Sequence, residues 1–303
     1  MIHFSPNRPI YICGPTASGK SALAISIANK FDGEIVNADA YQLYRGMEII
    51  SAAPSPEELA QAPHHLYGAL SPDQLCDAMT YREMALPVIA EILSRGKTPI
   101  VTGGSGMYIK FLTHGPSPVP SSEDELRKEL EQKSDESLIA QLTELDPVGA
   151  DNTNLQNRRY VIRALEICLL SGQKMSDLKN TWNIDNSETE KALQGIYLAW
   201  EPETIRKRIS LRTEIMLSEG AIEEVASLPH ASVTCEKAIG VPQILAHIRG
   251  ETSLSECTEL IATATCQYAK RQRTWFRKEN WLTSCTVEES SNASEITQSI
   301  SIK

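Results

Sequence analysis

Aromatic residues are scarce in this sequence, at 6% of 303 positions, so a broad aromatic binding surface is not expected. No run of eighteen apolar residues occurs, which predicts no membrane-spanning helix. The opening, MIHFSPNRPIYICG, lacks a basic stretch followed by a long apolar one, so no secretion leader is expected and a cytoplasmic setting is. Paired cysteines are also missing. Cys13, Cys76, Cys168, Cys235, Cys257, Cys266 and Cys285 are odd in number and none lies two residues from another. That pattern predicts isolated thiols rather than a disulfide framework. Cys257 and Cys266 stand too far apart for a zinc knuckle, and no histidine follows His247.

Excess positive charge is absent as well. The formal net charge is −10, and that total on its own argues against a nucleic-acid partner. The charge is uneven, however. Residues 119–157 hold ten acidic and three basic side chains, whereas 261–280 hold five basic and one acidic. The stretch 204–212 carries four cations and no acid. A negative total therefore leaves room for a basic face.

Length and composition suit one large domain or two modest ones. The first third alternates strand and helix signals. PIYICG, GEIVNADA and TPIVTGG read as strands, and SALAISIANKF and YREMALPVIAEILSRG as helices, which predicts βαβ units and a parallel sheet. GPSPVPSS is turn-rich and reads as a hinge. Beyond it SEDELRKELEQ, DESLIAQLTEL and RRYVIRALEICLLSG carry helical patterns, KNTWNIDNSETEKAL is polar, and a strand returns at GIYLAW. TIRKRISLRTEIMLSEGAIEEVASL reads as helix, and 254–278 as one long helix. The last fifteen or so residues, rich in Ser, Glu and Thr, read as a loosely held tail. The expected fold is α/β: a P-loop NTPase-like parallel sheet flanked by helices (1–118 and 194–303), with a mainly helical insertion at 119–193.

GPTASGKS fits G-x-x-x-x-G-K-[ST] through Gly14, Gly19, Lys20 and Ser21. It follows a predicted strand and opens a predicted helix, the context this motif requires. Its glycines let backbone N–H groups turn toward an anion, and the helix adds its positive end. Lys20 supplies a point charge, and the Ser21 hydroxyl can hold Mg²⁺. The loop speaks for two linked phosphates rather than for a nucleoside triphosphate in particular. A nucleotide hydrolase should also have an apolar strand ending in a metal-binding Asp. TPIVTGG ends in Thr and glycines, and Asp39, at the end of EIVNAD, runs into the polar and aromatic AYQLYR.

The ordered series GPTASGKS, IVNADAYQLYRGMEI, PHHL, TPIVTGGSGMYIK, RRYVIRALEI, KAIGVPQ and QYAKRQRTWFR resembles the tRNA dimethylallyltransferase family, in its bacterial-type short form without a C-terminal zinc finger. The resemblance runs from about Pro9 to Arg277. It implies transfer of a dimethylallyl group from dimethylallyl diphosphate to the exocyclic amine of the adenosine beside the anticodon of tRNA, with Mg²⁺ as cofactor and a monomer as the working form. Gly14, Pro15, Thr16, Ala17, Ser18, Gly19, Lys20 and Ser21 would cradle the diphosphate, with the metal near Ser21. Asp39 would take the amine proton, and Arg212 (Arg208 as fallback) would meet the leaving diphosphate.

The resemblance also implies tRNA contacts at Asp39, Ala40, Tyr41 and Gln42. Ser105 stands where the family usually has Thr, keeping the hydroxyl and losing a methyl. Further contacts are implied at Arg127, at Arg159, Tyr160, Val161, Ile162 and Arg163, and at Lys237, Ala238, Ile239, Gly240, Val241 and Pro242. The cations of AKRQRTWFRK suit RNA phosphates, with Trp275 and Phe276 either stacking or in the core. His64 and His65 read as packing residues. The residues alone leave open a small-molecule kinase, a prenyltransferase acting on free adenylate, and a non-catalytic RNA binder.

Overall fold

The computed structural model describes residues 2–185, 192–228, 233–288 and 292–302, so the middle of the polar stretch after Lys179 lies outside the described residues. The chain divides into two units, 1–113 with 192–303, and 114–191. The first is built on a six-stranded parallel sheet. In chain order its strands are β2 (Ile10–Cys13), β3 (Gly33–Asn37), β4 (His64–His65), β5 (Thr98–Gly103), β6 (Gly195–Ala199) and β7 (Leu282–Thr286). Their spatial order is β4-β3-β5-β2-β6-β7. Strands β2, β3, β5 and β6 are buried almost throughout, which is why IYIC, GEIVN, TPIVTG and GIYLA read as near-continuous apolar runs without alternation. Helices cover both faces of this sheet, giving a P-loop NTPase-like α/β fold.

The chain leaves the central strand β2 for β3 on one side and returns through β6 on the other. In such sheets ligands gather at the carboxyl ends of the strands beside this reversal. Both the phosphate loop, which follows β2, and Asp39, which follows β3, lie at those ends.

Gly103 ends β5 against the backbone that follows β3. A Cβ there would lie 2.1 Å from the Ala38 oxygen and 2.2 Å from its carbonyl carbon, and rigid main chain cannot yield as a side chain can. Gly103→Ala should therefore cost roughly 3 kcal/mol, read as a lower urea midpoint; an unchanged midpoint would contradict this packing. At the sheet's other end the buried Glu34 accepts two bonds from Arg95 (2.5 and 2.8 Å) and one from His65 (2.7 Å), pinning β4 to β3. Arg95 above all holds the Glu34 carboxyl down at about 2, with His65 and Lys97 helping and burial opposing. His64 Nδ1 bonds the Ala62 carbonyl; among the described residues no His, Cys, Asp and Glu cluster of metal-binding size occurs.

Two sequence expectations need correction. The C-terminal segment is not a loose tail among its described residues. Ile300–Ile302 (β8) pairs in parallel with Ile2–Phe4 (β1), the helix Ala293–Gln298 precedes it, and Lys30 Nζ donates to the carbonyls of Thr297 and Ile300. The Ser, Thr and Glu content hid a sparse apolar set, of which Ile300 is buried. The helical run after Thr204 is two helices, Pro202–Ser218 and Ala221–Ser227, broken where Gly220 takes φ 104°. Strands β1, β4, β7 and β8 carried no clear sequence signal. Among the described residues no disulfide joins any of the seven cysteines, and no helix is long and apolar enough to cross a membrane.

The second unit is helical: Asp124–Glu131, Asp135–Leu145, Pro147–Asp151, Arg158–Ser171 and Met175–Asp185. Its core is Leu130, Leu138, Leu142, Val161, Leu165 and their neighbours. The buried Asp146 carboxylate ties two of its elements by accepting from Gly149 N, Ser176 N and the Ser176 hydroxyl.

Candidate active site

The loop after β2 folds as its residues dictate. Ala17 and Gly19 adopt positive φ (61° and 85°), turning successive amides toward one concavity, and the helix Lys20–Lys30 starts there without a side-chain cap. The first amides of a helix have no intrahelical carbonyl to reach, so they face the ligand side. Neighbours fix the loop's own carbonyls. Trp200 Nε1 donates to Ser18 O (2.9 Å) and Arg208 Nε to Ala17 O (2.7 Å), with the Arg208 guanidinium 4.8 Å from the Trp200 ring centroid.

Lys20 Nζ donates to Pro15 O (2.8 Å) across the mouth of the loop. Burial lowers the Lys20 pKa to about 8; Asp39 works against that shift and Arg212 adds to it. Burial likewise pushes Arg212 down, and Asp39 opposes this. Three charged groups therefore share one partly water-excluded space.

Asp39 is held from both sides. Asn37 Oδ1 accepts from Asp39 N (2.8 Å), and Asn37 Nδ2 donates to Asp39 O (3.1 Å). Asp39 Oδ1 accepts from Tyr41 N (3.2 Å). Ser105 Oγ accepts from Ala40 N (2.9 Å), so the Gly-Gly-Ser turn after β5 braces the Asp39 segment. Gln42 donates its amide to the carbonyls of Ser51 (3.1 Å) and Ala52 (2.8 Å).

Two adjoining pockets open at this edge. One is the phosphate cradle, lined by Thr16 to Ala22 with Asp39, Gln42, Arg208 and Arg212. The other has an apolar wall of Met47, Ile50, Ile209, Met216, Ile239 and Ile261, with Thr213, Thr265 and Tyr268 among its polar members. Thr16, Asp39, Ser51 and Arg212 belong to both. An anionic head and a short apolar group joined to it would meet at those four residues.

Sequence reasoning placed Lys20, Ser21, Asp39, Arg208 and Arg212 in or beside this cleft, and the structure brings them together. Gly14 and Pro15 are buried below it, and Gly14 sits close against Ser18 Oγ and Leu198. Tyr41 reaches the Lys237 carbonyl (3.5 Å), and Ala238 and Ile239 line the apolar pocket. Gly240 and Val241 are buried, while Lys237 and Pro242 are exposed.

The remaining expected positions lie in the helical unit. Arg127 forms a two-pronged pair with the fully buried Glu166 (2.9 and 2.7 Å), and Arg163 bonds Glu166 (3.3 Å) and Pro120 O (2.5 Å). Val161 and Ile162 are core residues, whereas Arg159 and Tyr160 are exposed. Phe276 is core, and Trp275 packs flat against Gly106, where a Cβ would come within 2.5 Å of the ring. Neither aromatic is a free stacking surface.

Gln272 went unnoticed in the sequence. It is buried, accepts from Thr16 N (2.8 Å) and donates to Gly104 O (3.0 Å), joining the phosphate loop to the turn that braces Asp39. The available signal was an uncharged residue inside the cationic run AKRQR. Glu224 was missed too; its carboxylate accepts from Ile49 N (2.7 Å) and Ile50 N (2.8 Å).

Comparison with known proteins agrees with this arrangement. Residues 42–279 match the family described as IPP transferase. A protein named tRNA dimethylallyltransferase from Akkermansia muciniphila is 43% identical over 273 residues, covering 90% of this chain and 91% of the relative. One of the same name from Geobacter sulfurreducens is 40% identical over 283 residues, with 91% and 90% covered. Among solved structures, the tRNA isopentenylpyrophosphate transferase of Bacillus halodurans is 28% identical with a TM-score of 0.68, covering 96% of this chain and 95% of its own. A eukaryotic dimethylallyltransferase described as acting on tRNA superposes with a TM-score of 0.76 at 27% identity, covering 95% of this chain and 77% of its own. Matched over residues 42–279, and 40% to 43% identical to the Akkermansia muciniphila and Geobacter sulfurreducens relatives across about nine-tenths of its length, the chain belongs to the IPP transferase family.

Proposed function

We propose that this protein transfers a dimethylallyl group from dimethylallyl diphosphate to the N6 amine of the adenosine beside the anticodon of a tRNA, releasing diphosphate. The observation that carries this reading is the meeting of an anion cradle and an apolar pocket at Thr16, Asp39, Ser51 and Arg212. A small-molecule kinase would instead take a nucleoside triphosphate at this loop and need no RNA.

The amides of the loop, Lys20, Arg208 and Arg212 bind the diphosphate and hold the charge that grows on it as the allylic C1–O bond breaks. The five-carbon group lies in the apolar pocket, which excludes water from the electron-poor carbon. N6 attacks C1, and Asp39 takes its proton. The base must leave the stacked loop to reach this depth. The donor set fits a hard cation that keeps water and phosphate oxygens: the Ser21 hydroxyl would hold Mg²⁺ against the diphosphate, where it would supply charge neutralisation. The proposed working form is a monomer, since no step of this chemistry invokes a second subunit.

For the RNA, Lys237, Pro242, Arg159 and Tyr160 are the exposed members of these expected stretches and remain the proposed contacts there. Arg127 and Arg163 serve through the fold of the helical unit, by pairing with Glu166. A further groove beside Pro15 is lined by Trp200, Ile205, Arg206, Lys270 and Arg273. Among the described residues no carboxylate pairs with Lys270 or Arg273, and we assign these two to RNA phosphates. Replacing both by Gln should shrink the slope of log Kd against log salt by about 1.5, with little change in the affinity for dimethylallyl diphosphate. An unchanged slope would remove them from the RNA path.

The function is tested with labelled dimethylallyl diphosphate and an unmodified anticodon stem-loop. Label should enter the stem-loop, and none should enter one whose target adenosine is replaced by purine riboside, which lacks the amine. Equal labelling of both would exclude N6 as the acceptor.

A further inference from the structure

Of the four residues common to the cradle and the apolar pocket, three have roles in the proposed reaction. Thr16 belongs to the phosphate loop, Asp39 takes the proton, and Arg212 faces the leaving group. Ser51 has none. Its hydroxyl oxygen is shielded from solvent and, among the described residues, has no hydrogen-bond partner. Such a group costs free energy unless something satisfies it.

The surrounding segment is fixed with unusual completeness. Glu224 accepts from Ile49 N and Ile50 N. Ser51 N donates to Met47 O (3.0 Å) and Ala52 N to Ile49 O (3.0 Å). Gln42 donates to Ser51 O and Ala52 O. Ala52 is held at φ 49°, a strained value for a residue with a Cβ. One polar atom of this wall is left over, and it belongs to the residue at the junction of the two pockets.

For a prenyl diphosphate in this cleft, the atom joining head to tail is the bridging oxygen, and it must lie where the pockets join. We propose that Ser51 is a further catalytic residue whose hydroxyl donates a hydrogen bond to that oxygen as it leaves. The C1–O bond breaks with its electron pair going to the oxygen, the N6–C1 bond forms, and the N6 proton goes to Asp39; Ser51 keeps its own proton. The bond strengthens as negative charge develops, so it acts more on the transition state than on the bound substrate. A change of the Ser51 side-chain rotamer would carry the oxygen, and its hydrogen with it, toward a ligand that arrives.

This inference rests on the proposed prenyl transfer, and the experiment separates the two. Wild-type protein must first label the stem-loop; if it does not, the proposed function falls and this role falls with it. Given that activity, Ser51→Ala should lower kcat about 100-fold while changing KM for dimethylallyl diphosphate by no more than about threefold, and Ser51→Thr, which keeps the hydroxyl, should retain most of the rate. The sharper readout is the analogue with sulfur as the bridging atom, a weak acceptor. With it, Ser51→Ala should cost only a few-fold. The role is overturned if Ser51→Ala turns over within twofold of wild type, if it slows oxygen and sulfur substrates by the same factor, or if Ser51→Thr is as slow as Ser51→Ala.

Discussion

Asp39→Ala should reduce transfer to the stem-loop about 1,000-fold while leaving affinity for both RNA and dimethylallyl diphosphate within about threefold. The large effect follows from what this carboxylate would do. The exocyclic amine of adenosine is a poor nucleophile, and its lone pair becomes available as a base removes the proton. One carboxylate oxygen is committed to Tyr41 N, which fixes the group's direction, and the segment is braced by Asn37 and Ser105. The small binding effect follows because the diphosphate is gripped by other residues, Lys20 and the loop amides among them. Asp39→Asn separates shape from basicity: it keeps the size and can still accept from Tyr41 N, yet it cannot take a proton, so its rate should fall nearly as far. Single-turnover rates and separate binding titrations check this. An Asp39→Asn protein with near-normal turnover would make the residue a structural clamp.

The second large effect is expected at Lys20. Lys20→Ala should lower kcat/KM by about 100- to 1,000-fold, because a charge positioned on the leaving diphosphate acts most where charge grows most. The wild-type protein should also show a signature of the lowered Lys20 pKa. Burial is the main cause of that shift, to about 8, since it disfavours the charged form. Below about 8 the free protein carries the proton that the diphosphate needs. Above it the proton has been lost and must be taken up on binding, so Kd should rise up to tenfold per pH unit until the pH passes the pKa of the complex. For folding the sign is opposite. Between about 8 and the ordinary lysine value the unfolded chain binds more protons than the folded one, so this residue makes stability rise with pH there. Titration of diphosphate affinity from pH 7 to 10 reads the effect, and Lys20→Ala should flatten it. A wild-type profile flat from 7 to 10 would contradict the proposed role of the lysine.

The parallel sheet was legible because its strands are buried on both faces. IYIC, GEIVN, TPIVTG and GIYLA leave little doubt as runs, and Gly stops after the helices mark their ends. The phosphate loop was legible because backbone geometry forces its composition: Gly19 sits at φ 85°, where side chains are disfavoured. The edge strand β4 was not, because two histidines carry no strand pattern and His65 is held by Glu34 from a neighbouring strand. The C-terminal strand β8 was hidden for a similar reason, since its partner β1 is almost 300 residues away in sequence.

In the cleft, residues inside recognisable motifs stood out in the sequence, while Gln272, Glu224 and Ser51 did not. Their placement comes from tertiary contacts, and no spacing rule announces them. Part of the setting of the cationic motifs was hidden too. Arg127 and Arg163 read as RNA contacts, yet each is drawn to Glu166, whose burial no local pattern reveals.

The central claim is that the phosphate loop holds a prenyl diphosphate whose organic part goes to RNA. It is tested most directly by following both products of one reaction, with dimethylallyl diphosphate, the anticodon stem-loop and Mg²⁺ present and no ATP. The account predicts one diphosphate released for each dimethylallyl group recovered on N6 of adenosine after nuclease digestion. Diphosphate release without label in the RNA, or a requirement for ATP, would contradict it.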